Sequence, residues 1–242
     1  MSPQKKSAPD FSKFEQAVDI TFQNKVLLKQ AFTHRSYINE NRDVGLEHNE
    51  RLEFLGDAVL ELSITDFLYR KYPEDNEGEL TSYRAALVNA NIIADAARAL
   101  GMNDYMLLSR GEAKDQGKGR HYILANAFEA VIGAIYLDQG YEKADEFIKK
   151  TLFPKADEIV KKGLWRDAKS TFQEKAQEYV GVTPMYRVVR EAGPDHDKMF
   201  TVGVFLGKDL VVEGEGNSKQ EAEQQAAALA LKKKGWEEIV VE

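Results

Sequence analysis

The sequence predicts a helical domain followed by a small α+β domain, and three observations predict this order. Apolar residues recur every three or four positions through most of the first 154 residues, a spacing typical of packed helices. After Gly163 the chain changes to short runs rich in valine and phenylalanine, separated by glycine-containing turns, which is typical of strands. One helical pattern precedes these runs and another follows them. We therefore predict an all-α domain and then a domain of order α-β-β-β-α.

The first domain is predicted as a series of helices from residue 11 to about residue 154. Its apolar spacing is clearest in five runs, 26–32, 52–72, 80–100, 122–137 and 144–153. Pro73, Gly101 and Gly140 are expected to end helices, because proline and glycine interrupt helical backbone. The segment 111–120 is polar and rich in glycine, so it is predicted as an exposed loop.

The second domain is predicted to begin with a helix at 168–179. Three strands follow at 185–190, 200–205 and 210–213, and a last helix runs from 219 to about 234. Ser218 and Glu221 have the spacing of a capping box at the start of that helix. About 70 residues are small but adequate for a domain. We place the domains at 1–160 and 167–237, with a linker at 161–166.

Composition restricts the class of protein. The chain has 242 residues, of which 43% are hydrophobic and 30% charged, and this is typical of globular proteins. It has no cysteine, which excludes disulfides and thiolate metal sites. The net charge of -7 argues against coating nucleic acid through bulk electrostatics, although local patches can still bind it. No signal-peptide or bilayer-spanning run is evident, so we expect a cytoplasmic protein without a membrane partner.

An acidic helix face is the most informative local feature. Glu50, Glu53 and Asp57 are three and four residues apart, so a helix places all three carboxylates on one face. Like charges at this spacing each cost about 0.2–0.5 kcal/mol. Gly56 in the same helix costs roughly 1 kcal/mol more than alanine. A divalent cation such as Mg²⁺ would offset both costs.

A second carboxylate is predicted in an apolar environment. The run 122–137 contains a single charge, Glu129, and Asn126 lies one turn earlier on the same helix face. A buried carboxylate costs several kcal/mol unless it is neutralised, paired or bound to metal. Two interpretations remain open at this point. The acidic helix face is solvated surface and Glu129 pairs with an arginine, or the two helices together form a metal site.

Several motifs in order resemble the ribonuclease III family. The run Asn-Glu-Arg-Leu-Glu-Phe-Leu-Gly-Asp at 49–57 resembles the signature motif of that family. Ala-Phe-Thr-His-Arg-Ser at 31–36 resembles the segment that precedes it. Glu-Gly-Glu-Leu-Thr at 77–81 and Ile-Leu-Ala-Asn-Ala-Phe-Glu at 123–129 resemble the segments that follow. The tail resembles the double-stranded RNA-binding domain of the family, so the resemblance covers nearly the whole chain.

The resemblance implies a set of site residues. The metal ligands of the family correspond to Glu53, Asp57, Asn126 and Glu129, with Asp57 and Glu129 as the catalytic carboxylates. Glu50 and Glu77 correspond to acidic residues that support the site and the dimer. Phe54 resembles an aromatic residue of the dimer interface; an ordinary core phenylalanine is the alternative interpretation.

The resemblance also implies an activity. The expected protein is a homodimeric endoribonuclease that hydrolyses both strands of duplex RNA with Mg²⁺, for which Mn²⁺ can substitute, and without an organic cofactor. Its products would carry 5′-phosphates and short 3′ overhangs. Its expected substrates are ribosomal RNA precursors and other structured transcripts, messenger RNA included.

One ligand position departs from the family, which usually has aspartate where this chain has Asn126. An amide oxygen can bind Mg²⁺ but brings no negative charge. The asparagine is either a natural variant or an engineered change that slows cleavage. A double-stranded RNA-binding protein with weakened catalysis is therefore the main alternative, and a helical dimer that serves as an assembly platform on ribosomal RNA is a third.

The second domain is expected to contact RNA at three places. Gln173 and Gln177 lie one turn apart on its first helix and can reach the minor groove. His196 lies in the loop between the first two strands, where an exposed turn residue without a role is the alternative. Ser218 and Lys219 begin the last helix, whose amides favour phosphate. Since few basic residues follow Lys219, both affinity and salt dependence are expected to be modest.

Overall fold

The structure is a computed structural model that describes residues 9–43, 45–114, 117–161, 167–194 and 198–236. The chain divides into two compact units, Met1–Trp165 and Arg166–Glu242. The division falls within the predicted linker 161–166, most of which lies outside the described residues. The exact bounds of the domains and the linker therefore stay a prediction.

The first unit consists of helices joined by loops in its described residues, as predicted, and an isolated bridge joins Thr33 to Leu107. A short 3-10 helix, Met102–Tyr105, lies between α6 and α7. The nine α-helices are α1 (Phe11–Val18), α2 (Lys25–Ala31), α3 (Arg35–Glu40), α4 (Glu50–Lys71), α5 (Glu77–Leu87), α6 (Ala90–Ala99), α7 (Lys118–Gln139), α8 (Tyr141–Thr151) and α9 (Phe153–Lys161).

Local signals explain where these helices begin and end. Gly101 and Gly140 have φ of 65° and 88° and follow α6 and α7 as expected. The predicted run 80–100 is two helices, because Asn89 interrupts it and its side chain accepts a hydrogen bond from the Ile92 amide at 3.0 Å. The predicted loop 111–120 extends a few residues further than the loop in the structure. Helix α7 already begins at Lys118, directly after Gly117.

The long helices α4 and α7 lie against each other at the centre of the first unit, and two glycines bring their backbones together. A Cβ atom on Gly56 would overlap the carbonyl oxygen of Glu129. A Cβ atom on Gly133 would overlap the carbonyl oxygen of Leu52. Glycine at these two positions therefore has a packing explanation that does not require a cation.

The second unit has the predicted order of one helix, three strands and one helix. Its antiparallel sheet has the order β1-β2-β3, and α11 packs on β2 and β3 while α10 packs on α11. Gly214 and Gly216 allow this close approach, because a Cβ on either would overlap backbone atoms of α11. The elements are α10 (Ala168–Val180), β1 (Met185–Ala192), β2 (Met199–Leu206), β3 (Asp209–Gly216) and α11 (Lys219–Lys234).

The start of α11 differs slightly from the predicted capping box. The Ser218 hydroxyl accepts a hydrogen bond from the Glu221 amide at 3.1 Å, as expected. The Glu221 carboxylate accepts from the backbone amide of Asn217 at 2.9 Å, one residue before the expected position. Among the described residues, no helix of either unit combines the length and the apolar character needed to cross a membrane.

Candidate active site and RNA-binding surface

The first half of the site is the acidic face of α4. Glu50 and Glu53 lie in its first turn, where the partial positive charge of the helix N-terminus favours carboxylates. Burial raises the pKa of Glu53, and the nearby charges of Glu50 and Asp57 raise it as well. Asp57 is exposed. The carboxylates therefore repel one another, as the sequence predicted.

Glu50 has an arginine and a histidine as neighbours, and the sequence pattern did not indicate these contacts. Arg35 Nη1 lies 3.5 Å and His48 Nδ1 3.7 Å from its carboxylate oxygens. The backbone amide of Asn49 donates to the Thr33 carbonyl at 2.9 Å, which joins segment 31–36 to the start of α4. The sequence carries a signal for this contact, since segment 31–36 resembles a motif of the family. No role had been assigned to its arginine.

The second half of the site lies on α7. Burial raises the pKa of Glu129 to about 8, and the nearby charges of Asp57 and Glu53 contribute to the shift. The Asn126 side chain hydrogen-bonds to the Glu53 carboxylate, which lowers the pKa of Glu53. The structure thus brings the four predicted ligands together across the contact of α4 with α7. Within the described residues, Glu129 forms no ion pair with an arginine, so these residues do not support the pairing interpretation.

The chemistry of these four side chains fits a divalent metal ion. They present three carboxylates and one amide, and oxygen atoms are the ligands that Mg²⁺ and Mn²⁺ prefer. In the part of the chain that the structure describes, no three acidic or histidine side chains are close enough to enclose an ion. A bound cation would remove the repulsion that raises the pKa of Glu129.

Two further predicted residues lie apart from this cluster. Glu77 is the first residue of α5 and lines a pocket of about 430 Å³ together with Tyr69 and Arg84. Thr65 and Tyr69 of this pocket lie at least about two turns along α4 from Asp57, so Glu77 lies away from the cluster. Phe54 is 80% exposed, so its interpretation as a core residue is wrong.

Four of the five predicted RNA contacts lie on or directly before the helices of the second unit. Gln173 and Gln177 are exposed on α10 and line a shallow depression. Ser218 caps α11, and its hydroxyl is engaged by the helix. Lys219 lies beside a carboxylate, with its Nζ atom 3.7 Å from Glu191 Oε1. His196 lies outside the described residues, so its role stays a prediction.

Both units match models of known protein families. Residues 24–156 match the model described as Ribonuclease-III-like, and residues 168–234 match the double-stranded RNA binding motif. A helical nuclease unit with a carboxylate cluster, followed by a unit that binds duplex RNA, defines a class of protein: the endoribonucleases of double-stranded RNA. The chain belongs to the ribonuclease III family, as the resemblance indicated.

Similar proteins and structures agree with this assignment. Ribonuclease 3 of Pelotomaculum thermopropionicum is 48% identical over 88% of this chain and 89% of that protein. Ribonuclease 3 of Bacillus licheniformis is 46% identical over 94% of this chain and 91% of its own length. The nuclease domain of ribonuclease III from Campylobacter jejuni superposes with a TM-score of 0.54 at 42% identity, covering 60% of this chain and 99% of that one. The predicted fold class and enzyme class are confirmed.

Proposed function

We propose that this endoribonuclease hydrolyses both strands of duplex RNA with Mg²⁺, or with Mn²⁺ in its place, and leaves 5′-phosphates and short 3′ overhangs. One observation carries the proposal. Glu53 and Asp57 on α4 lie beside Asn126 and Glu129 on α7, and the largely buried Glu129 has no cationic partner in the described residues. Such a carboxylate is expensive unless a metal ion or a proton neutralises it.

The four ligand side chains would hold the metal, and the glycine contact between α4 and α7 fixes the backbones that carry them. When bound, divalent ions supply an activated water and stabilise the leaving 3′ oxygen. Because the pKa of Glu129 is about 8, its carboxyl group retains a proton near neutral pH in the absence of metal. Metal binding would displace that proton, so metal affinity should rise with pH.

The second unit would hold the duplex. Gln173 and Gln177 offer exposed amides to the 2′-hydroxyl groups of a minor groove. Lys219 and the amides at the start of α11 would contact a backbone phosphate, since helix N-termini favour anions. The hydroxyl of Ser218 already accepts from Glu221, so Ser218 would act through the helix N-terminus that it caps.

An exposed apolar stripe on α4 supports a homodimer. Phe54, Leu62 and Tyr69 are 80%, 57% and 72% exposed, and their spacing places them along one side of the helix. Large exposed apolar patches mark interaction surfaces. The solved Campylobacter jejuni structure has a region involved in dimer formation within its nuclease domain. In a dimer, each of two sites would cut one strand.

Phe54→Ala is expected to weaken the dimer and lower cleavage of both strands, because truncating an aromatic hot spot of an interface costs about 2 kcal/mol or more. Analytical ultracentrifugation over a range of protein concentrations measures the association. Val26→Ala is the matched control, since Val26 is also exposed but lies on α2. An unchanged dimer in the Phe54 variant would place the interface elsewhere.

Incubation of a long, labelled RNA duplex with the protein, with and without Mg²⁺, tests the proposed function. We expect shortening only with Mg²⁺, and products with 5′-phosphates. Retention on a gel without shortening would support the alternative of weakened catalysis caused by Asn126. Binding to structured ribosomal precursors without affinity for general duplexes would support the assembly platform.

We propose the cytoplasm as the place of this activity, with ribosomal RNA precursors and structured messenger RNA among the substrates. The support is the similarity to bacterial proteins named Ribonuclease 3. Mapping of RNA 5′ ends in cells with and without the protein would identify these substrates. If the 5′ ends of ribosomal RNA precursors are the same in both cells, these precursors are not substrates.

A further inference from the structure

One carboxylate in the second unit lies between two lysines. Glu191 Oε2 is 3.3 Å from Lys198 Nζ, and Glu191 Oε1 is 3.7 Å from Lys219 Nζ. The Glu191 side chain is 38% exposed and the Lys219 side chain 59% exposed. The three groups therefore form a surface cluster that water and a ligand can reach.

The cluster lies where three elements meet. Glu191 is near the end of β1, Lys198 directly precedes β2, and Lys219 is the first residue of α11. Helix α11 has 16 residues, and its N-terminus favours anions. Lys219 is also the residue expected to contact a backbone phosphate. A second carboxylate, Glu221, lies in the first turn of the same helix.

We infer that Glu191 is an internal competitor for RNA phosphate, and this inference rests on the proposed function. In the free protein its carboxylate occupies the neighbourhood of both ammonium groups. A phosphate that approaches Lys219 must displace this carboxylate or remain close to its negative charge. Ion pairs between exposed side chains are weak, so the phosphate displaces Glu191 at a modest loss of affinity.

The same arrangement lowers the salt dependence of binding. Duplex binding releases counterions in proportion to the number of phosphates that the protein neutralises. When a phosphate takes Lys219 from Glu191, the freed carboxylate attracts a cation from solution. The uptake of this cation partly cancels the release of one counterion from the RNA. Glu191 thus gives a physical reason for modest affinity besides the small number of basic residues.

The test compares Glu191→Gln with the full-length wild-type protein. The probe is a fully paired RNA duplex of about 24 base pairs, longer than the roughly 16 that one such domain spans, and EDTA prevents cleavage. Filter binding or fluorescence anisotropy at several KCl concentrations gives Kd and its salt dependence. We expect Kd to fall about two- to fivefold and the slope of log K against log salt to steepen by up to about one.

Glu213→Gln is the matched control. Glu213 lies on β3 between Val212 and Gly214, is exposed and forms no ion pair within the described residues. Because Gly214 faces α11, Glu213 points to the opposite side of the sheet. The control removes the same charge at a distance from both lysines, so its Kd should change little.

A double variant tests whether Glu191 acts through Lys219. In Lys219→Gln protein, the Glu191→Gln substitution should tighten binding less than it does in the wild type, because one competing pair has been removed. An unchanged or higher Kd for Glu191→Gln, or equal tightening in the Glu213→Gln control, would overturn the inference. Duplex binding without Mg²⁺-dependent cleavage by the wild type would remove the proposed function but leave this inference standing.

Discussion

Glu129→Gln is expected to abolish Mg²⁺-dependent cleavage while duplex binding stays intact. The substitution removes the one carboxylate that α7 contributes to the site and leaves a neutral amide of almost the same shape. Since metal-bound groups stabilise transition-state charge by several kcal/mol, we expect a loss of at least about 100-fold in cleavage rate. A single-turnover cleavage assay and a binding assay on the same duplex measure the two effects.

The same substitution should stabilise the metal-free protein at alkaline pH. Burial and the neighbouring carboxylates raise the pKa of Glu129 from 4.5 to about 8, so the folded protein favours the protonated form. The stabilising effect of that proton is complete below about pH 4.5 and is lost as pH rises through about 8. Glutamine does not ionise, so the variant should gain on the order of 2 kcal/mol at pH 8.

Urea unfolding in EDTA between pH 5 and pH 9 measures this gain, and Glu142→Gln on the exposed surface of α8 is the control. The difference between Glu129→Gln and wild type should grow with pH, whereas the control should show no such trend. Normal cleavage by Glu129→Gln would remove Glu129 from the proposed site. Loss of duplex binding would mean that its role is structural.

Asn126→Asp is expected to increase Mg²⁺-dependent cleavage or to lower the Mg²⁺ concentration that cleavage requires. The site now has three carboxylates and one amide, and a fourth negative charge strengthens its attraction for a hard cation. We expect the Mg²⁺ concentration for half-maximal cleavage to fall about tenfold. Cleavage rates over a Mg²⁺ titration measure this effect.

The Asn126→Asp substitution should lower the stability of the protein in the absence of metal. Asn126 hydrogen-bonds to the Glu53 carboxylate, and aspartate would replace this contact by repulsion. The free energy of unfolding in EDTA should therefore fall by about 1–2 kcal/mol, and Mg²⁺ should restore it. Asn91→Asp, at an exposed position of α6, is the control for the added charge. Equal or lower activity of Asn126→Asp at matched stability would contradict the proposed role of this side chain.

Sequence periodicity predicted the elements whose stability depends on regular packing. The last helix was predicted from 219 to about 234, and α11 is Lys219–Lys234. The break at Asn89 was missed, because the apolar spacing continues across it while the asparagine cap stops the hydrogen-bond ladder. The start of α7 at Lys118 was missed because glycine-rich sequence resembles a loop even where a helix begins.

The sequence indicates candidate ligands, but it does not indicate the groups that surround them. Charge spacing and an isolated carboxylate indicated Glu53, Asp57 and Glu129, since both patterns lie within single helices. Arg35 approaches Glu50 through the folding of segment 31–36 against α4, which no local pattern reveals, whereas His48 is only two residues before Glu50 in the sequence. The exposure of Phe54 likewise depends on how α4 packs, because Leu52 and Leu55 beside it in the sequence are apolar as well and Leu52 is buried.

The glycine contact between α4 and α7 has a consequence for how such a site can vary. Because carbonyl groups rather than side chains set the separation of the two helices, the ligand positions keep their spacing when a ligand itself is exchanged. Charge at the site can then change independently of shape. In the proposed metal site, an asparagine at position 126 would alter how strongly a cation is attracted and would leave the helix contact unchanged.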